Sequence, residues 1–198
     1  MLDLIPFVRR WRRRAERLPL MTQAETELLR RHLRKRRLVV EYGAGASTLF
    51  ALANGVRRII SVESDPLWLA RLRDDPELVR ARATLVHADI GPVKEWGFPK
   101  DDAARPRWPG YARAPWPVTG EAMVLVDGRF RVACALTSAL NTSGPILVHD
   151  YFSRPHYHFI EEHLALVDRV DELAVFRGLR SSRQTASETI ATFEFTPD

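Results

Sequence analysis

Val39-Val40-Glu41-Tyr42-Gly43-Ala44-Gly45-Ala46-Ser47 runs from an apolar segment into a two-glycine turn. The stretch from Leu38 to Tyr42 reads as a buried strand. Gly43 and Gly45 let the backbone come close to a ligand. The helix expected over Thr48 to Ala53 starts at the same place, and a helix N-terminus favours bound anions. Gly55 is a natural stop for that helix. Eighteen residues after Gly45, Glu63 ends the next strand, Arg58 to Glu63. A carboxylate there can accept both hydroxyls of a ribose. Asp89 ends a third strand, Ala83 to Ala88, within reach of an adenine on the same edge. Ligands collect at the carboxyl edge of such sheets, so the turn and the carboxylates Glu41, Glu63 and Asp89 form one crevice.

Beyond the crevice, strands and helices keep alternating. Asp65-Pro66 caps a helix through Leu67, Leu69 and Leu72. A fourth strand is expected over Ala122 to Val126, a helix over Arg131 to Leu140 and a fifth strand over Pro145 to Val148. A helix over Ile160 to Leu166 then precedes two β-like segments, Glu172 to Phe176 and Thr189 to Phe195. The fold class that follows is α/β: a Rossmann-like three-layer sandwich around a mostly parallel seven-stranded sheet with an antiparallel closing strand. Residues 91–120 break the rhythm with six prolines among Trp96, Trp108 and Trp116. A loop of that length is a lid over a site or a decoration packed on the sheet edge.

The 198 residues, 45% of them apolar, suit one globular domain. The net charge of +5 is unevenly spread: residues 1–37 carry twelve Arg and Lys against four acids, +8, leaving −3 for the remainder. The division expected is a basic helical extension over 1–37 and a ligand-binding domain over 38–198 with an insertion at 91–120. In the extension, Thr22-Gln23-Ala24-Glu25 is a capping box opening a helix through Leu28, Leu29 and Leu33. Its basic runs could touch nucleic acid or anionic lipid, although a solvated helix docked on the domain is the plainer reading. One cysteine, Cys134, excludes an internal disulfide and a thiolate zinc cage, and it reads as a small buried residue. No apolar run approaches the ~20 residues of a membrane span. The arginines follow the first apolar residues, the reverse of a secretory signal, and a cytoplasmic protein is expected.

Glu41-Tyr42-Gly43-Ala44-Gly45-Ala46-Ser47 resembles the first motif of the class I S-adenosylmethionine-dependent methyltransferases, small bacterial-type members included. The resemblance extends over Leu38 to Asp150. It implies that Tyr42, Gly43, Ala44, Gly45 and Ser47 line the methionine end of S-adenosylmethionine and that Glu41 helps to hold it. It also implies Glu63 and Ser64 at the ribose, Asp89 and Ile90 at the adenine, and Asp127 at the methionine moiety or the acceptor. Ala46-Ser47 stands where the motif often has a third glycine. Asp127-Gly128-Arg129 lacks the Asn/Asp-Pro-Pro-aromatic signature of enzymes that methylate nucleobase or glutamine nitrogen. His149-Asp150-Tyr151 departs from the Asp-Asn of cation-dependent O-methyltransferases, although Asp127 with Asp150 could still hold magnesium. An NAD-dependent oxidoreductase is the competing reading, but its fingerprint wants glycine where this chain has Thr48.

A hydroxyl acceptor benefits from a base, and His149, with Asp127 and Asp150 around it, is the catalytic candidate. Arg129 can fork onto a carboxylate or phosphate of the acceptor, as can Arg131. Trp108, Tyr151, Tyr111 and Trp116 offer aromatic surface for it. His156 and His158 could join His149 in a metal cluster, although lining or surface positions fit them better. The reading is a methyltransferase directed at oxygen of a small-molecule or glycan-like acceptor. Its alternative is a catalytically inactive methyltransferase-like module acting through the basic arm.

Overall fold

The computed structural model of the protein describes residues 18–34, 36–118 and 120–198. The basic helix expected before residue 18 lies outside them. Helix α1, Gln23–Leu33, opens on the expected box: Thr22 Oγ1 accepts from the Glu25 N–H and the Glu25 carboxylate accepts from the Thr22 N–H. Strand β1, Leu38–Tyr42, is buried along its whole length. Helix α2, Ala46–Ala53, and strand β2, Arg58–Glu63, follow. Helices α3, Pro66–Arg73, and α4, Pro76–Ala81, each start at an Asp-Pro pair whose aspartate accepts two main-chain N–H bonds. The second pair repeats the chemistry of the first. Strand β3 is Thr84–His87, α5 Pro109–Arg113, β4 Met123–Val126, α6 Arg131–Asn141 and β5 Ile146–Val148. Strands β6, Leu164–Val170, and β7, Leu173–Leu179, precede α7, Arg183–Phe193.

The seven strands lie in the order β3-β2-β1-β4-β5-β7-β6. β1 pairs in parallel with β2 and β4, Val40 standing beside both Ile60 and Val124. β7 is antiparallel to β5 and to β6, so the closing strand is as expected. Side chains alternate across a strand. Val40, Val124 and Val126 therefore face α6 with Val132, Ala133 and Cys134, while Val39, Met123 and Leu125 face α1 and α2. Each fully buried valine or leucine in these layers contributes roughly 1.5–3 kcal/mol. The same alternation turns Glu41 toward α2 and Tyr42 toward the opposite layer, so the two neighbours serve different structures.

The end of the chain departs from the sequence reading in two places. The helix expected over Ile160 to Leu166 is a 3-10 segment, Pro155–Glu162, followed by β6. The β segment expected over Thr189 to Phe195 is the end of α7, to Phe193, and the turn that follows it. Short apolar runs fit either period, and tertiary packing decides between them. Ser182 caps α7, and Ala186 with Ile190, four residues apart, gives it a buried stripe. β6 gains its hydrogen bonds from β7. Residues 91–120 are a folded insertion: Trp108 and Tyr111 are buried with Phe130, ring centroids 5.7 and 5.5 Å away.

Candidate functional site

The carboxyl ends of β1, β2, β4 and β5 bring most of the expected residues to one edge. Gly43 has φ +90°, and a Cβ there would stand 2.9 Å from the Asp127 carbonyl and the Gly128 Cα. Only glycine lets the β1 turn pass so close to the loop after β4. At Gly45 a Cβ would meet nothing within 4 Å, so open space begins there. Glu41 lies beneath the turn, 1% exposed, and accepts hydrogen bonds from Ser47 (2.5 Å), Thr48 (2.5 Å) and Ser61 (2.6 Å) hydroxyls. Its place is that of a brace under the turn. Thr48, where a dinucleotide fingerprint would have glycine, uses its hydroxyl in this brace and accepts the Gly45 N–H at 2.9 Å.

Burial pushes the Glu41 carboxyl up to about 7, against the lowering pull of those three donors. A carboxyl held above its ordinary 4.5 binds its proton more tightly in the folded chain, so stability falls as pH rises from 4.5 through about 7. Glu41→Gln is expected to flatten that fall. Urea unfolding at about pH 5 and about pH 8 checks it, and an unchanged slope would contradict the assignment.

Glu63 is 9% exposed and one oxygen accepts the Ser64 and Asp65 N–H groups at 2.6 and 2.9 Å. Burial raises its carboxyl too. Gly97 of the insertion sits on this pair. Ser64 Oγ donates to the Gly97 carbonyl at 3.1 Å, and a Cβ on Gly97 would come within 2.6 Å of that hydroxyl. Farther along the edge, Asp89 is exposed and paired with Arg107, and Ile90 accepts the Trp108 indole N–H at 3.1 Å. The insertion therefore contacts both the ribose and the adenine candidates. Two surface cavities, of about 360 and 270 Å³, lie elsewhere, against Leu140 and Gly178 and against Arg73 and Arg82.

At the ends of β4 and β5 the charges interlock. Arg131, 3% exposed, lies 3.3 Å from an Asp127 carboxylate oxygen and 3.1 Å from one of Asp150, and donates to the His149 and Gly128 carbonyls at 2.5 and 3.0 Å. His149 Nδ1 is 3.1 Å from Asp127 and 3.6 Å from Asp150, and its Nε2 is 3.5 Å from Glu25 of α1. Burial opposes the charged imidazole, but the three carboxylates outweigh it and raise its pKa. Burial likewise opposes the Asp127 carboxylate, and His149 with Arg131 holds it below the ordinary value. Both ring nitrogens of His149 thus face carboxylates, an arrangement that holds a proton and does not offer a free base. Ligand atoms of Asp127, His149 and Asp150 lie within 4.8 Å of one another. They do not fit a resident magnesium ion, because the Arg131 charge already sits on both carboxylates and magnesium prefers oxygen donors.

The aromatic acceptor candidates are not at the surface. Trp108 is 3% exposed, and Tyr151 is fully buried, its hydroxyl donating to Glu161 at 2.9 Å. Flat apolar rings reach the core more readily than a wet site, and both do so here. Tyr42 is also buried, donating to the Ala112 carbonyl at 2.6 Å and so anchoring the insertion. Trp116 donates to its hydroxyl. Arg129 is 5% exposed and stacks on Phe98, 3.9 Å from the ring. Cys134 is buried as expected. His156 and His158 do not join His149: the first lies 3.2 Å from Asp198 and the second stacks near Tyr151. Glu25, Gly97 and Asp198 are members of the site that the sequence did not mark, because each arrives from a distant segment.

No family model matches the chain, and no curated protein matches it. Among solved structures, a methyltransferase-like protein from Silicibacter pomeroyi is 32% identical, with a TM-score of 0.79 over 90% of this chain and 97% of that one. A candidate RNA methyltransferase from Pyrococcus horikoshii has a TM-score of 0.54 over 87% of this chain and 92% of its own at 13% identity, a likeness of fold alone. No described helix is long and apolar enough to cross a membrane.

Proposed function

This chain belongs to the methyltransferase-like proteins, and on that premise we propose that it binds S-adenosylmethionine at the carboxyl edge of β1, β2 and β4 and methylates oxygen on a small-molecule or glycan-like acceptor. The observation that carries the proposal is the pairing of a Gly43 turn pressed onto the β4 loop with open space at Gly45 and a buried carboxylate at Glu63. When bound, S-adenosylmethionine supplies a methyl group on a sulfonium, and the protein's work is alignment. Glu41, Ser47, Thr48 and Ser61 keep the turn rigid. Glu63 takes the ribose, and Asp89 with Ile90 takes the adenine. Gly97 bonds Ser64 beside Glu63 and Arg107 pairs with the exposed Asp89, so both contacts give way when the nucleoside enters. Asp127, Arg131 and His149 fix the edge facing the acceptor.

His149 acts in this reading as a positioning residue. An acceptor oxygen that already carries negative charge needs no base, and this favours acids over alcohols. The test is release of S-adenosylhomocysteine from S-adenosylmethionine with a panel of hydroxy acids, carboxylic acids and glycans. Release above the acceptor-free blank with at least one of them is expected.

A second reading is favoured by one observation: Glu41, Asp89, Asp127 and Asp150 all have partners within the protein. In that reading the fold is a catalytically inactive module whose basic arm meets nucleic acid or membrane. Absence of turnover, together with polyanion binding that falls steeply with salt, would establish it instead.

A further inference from the structure

The segment after α7 runs back across the site. Glu194 pairs with Arg113 at 2.6 Å and Phe195 lies against Arg105, 4.4 Å from the guanidinium. Asp198 then packs beside the start of α6. Its Oδ1 accepts from the Arg131 main-chain N–H at 3.4 Å, and its Oδ2 lies 3.2 Å from His156 Nε2. Arg129 donates to the main-chain oxygens of Asp198 and Pro197 at 2.6 and 3.4 Å. Among the described residues no side-chain carboxylate pairs with this buried guanidinium, and its Nε has no hydrogen-bond partner. A buried charge held this incompletely is costly unless an anion completes it.

We propose that Arg129, the Arg131 main-chain N–H and His156 form the seat of a carboxylate carried by the methyl acceptor, and that Asp198 keeps this seat in the free protein. The inference rests on the methyltransferase reading and adds the substrate class, a small organic acid. Three features converge on it. The Asp198 side chain, which takes the Arg131 N–H and faces His156, is itself a carboxylate, while the guanidinium of Arg129 is held by the main-chain oxygens of Pro197 and Asp198. That carboxylate fits imperfectly: Oδ2 faces His156 but makes no hydrogen bond, and burial raises the Asp198 carboxyl. The seat also adjoins the edge facing the acceptor, since Arg131 is the residue that clasps Asp127 and Asp150.

The test is a titration of the full chain with succinate, and separately with inorganic phosphate, at constant ionic strength. The proteins are wild type, Asp198→Ala, Asp198→Asn, and Asp198→Ala combined with Arg129→Gln. A carboxylate tethered this closely competes at an effective concentration in the millimolar range. Removing it is expected to tighten succinate binding by about tenfold in both single variants. Adding Arg129→Gln is expected to abolish the gain. Unchanged succinate affinity in both single variants, or a gain that survives Arg129→Gln, overturns the proposal. So does tighter binding of phosphate than of succinate. S-adenosylhomocysteine is titrated against the same proteins. If Arg129→Gln removes its binding as well, the arginine serves the cofactor's own carboxylate and the acceptor assignment falls. If S-adenosylhomocysteine binds none of them while the succinate pattern holds, the cofactor reading fails and the carboxylate seat stands.

Discussion

Gly43→Ala is expected to remove S-adenosylhomocysteine binding and to destabilise the fold at the same time. The new methyl group would sit 2.9 Å from the Asp127 carbonyl and the Gly128 Cα, all main-chain atoms of a buried loop, and φ at this position is +90°. Neither the contact nor the dihedral can be relieved by a side-chain rotation. The β1 turn and the β4 loop must move apart, and a displacement of about 1 Å at a reacting site costs on the order of 100-fold in rate. Gly45→Ala supplies the contrast. Its backbone is extended, with φ −179°, and the added methyl meets nothing. That variant is expected to unfold at the wild-type urea concentration while losing the ligand, because the space it fills is the ligand's. Urea unfolding and ligand titration of the two variants check this. Equal S-adenosylhomocysteine affinity in wild type and Gly43→Ala would contradict the placement of the crevice.

Arg131→Met is expected to have the largest effect on stability. The guanidinium is buried and bridges carboxylates at the ends of β4 and β5, and it also satisfies the His149 and Gly128 carbonyls. Its removal leaves Asp127 and Asp150 facing each other with His149, Arg154 and the more distant Arg129 to balance them. Breaking a buried pair on one side costs about 3–5 kcal/mol. Urea unfolding at neutral pH measures the loss. A change below about 1 kcal/mol, the worth of an exposed pair, would mean that the clasp is solvated and does not set the edge.

Local signals carried the first two-thirds of the fold. A capping aspartate followed by proline, a strand ending at two glycines and a carboxylate at the end of β2 are each written in a few adjacent residues. The last third depends on partners distant in sequence. Nothing within Leu164–Val170 distinguishes a strand from a helix until β7 lies beside it, and Thr189–Phe193 is helical because Ala186 and Ile190 share a buried stripe. The site divides in the same way. Glu41, Gly43, Gly45, Glu63, Asp89 and Asp127 reach the expected edge. Trp108 and Tyr151, expected at the acceptor, are core residues, because an aromatic residue near a site in sequence is as readily core as surface. His149 was legible as an edge residue beside Asp127 and Asp150, which do most to hold its proton, but the third carboxylate is Glu25 on α1, which no spacing rule connects to it.

The central claim is that the Gly43–Glu63 crevice takes an adenosyl sulfur compound. Thermal unfolding of the full chain with S-adenosylhomocysteine, and in parallel with NAD, tests it most directly. At ~100 times its dissociation constant a ligand specific for the folded state adds about 2.7 kcal/mol. The expected result is that stabilisation with S-adenosylhomocysteine, none with NAD, and its loss in Glu63→Ala. Stabilisation by NAD alone, or by neither compound, would contradict the account.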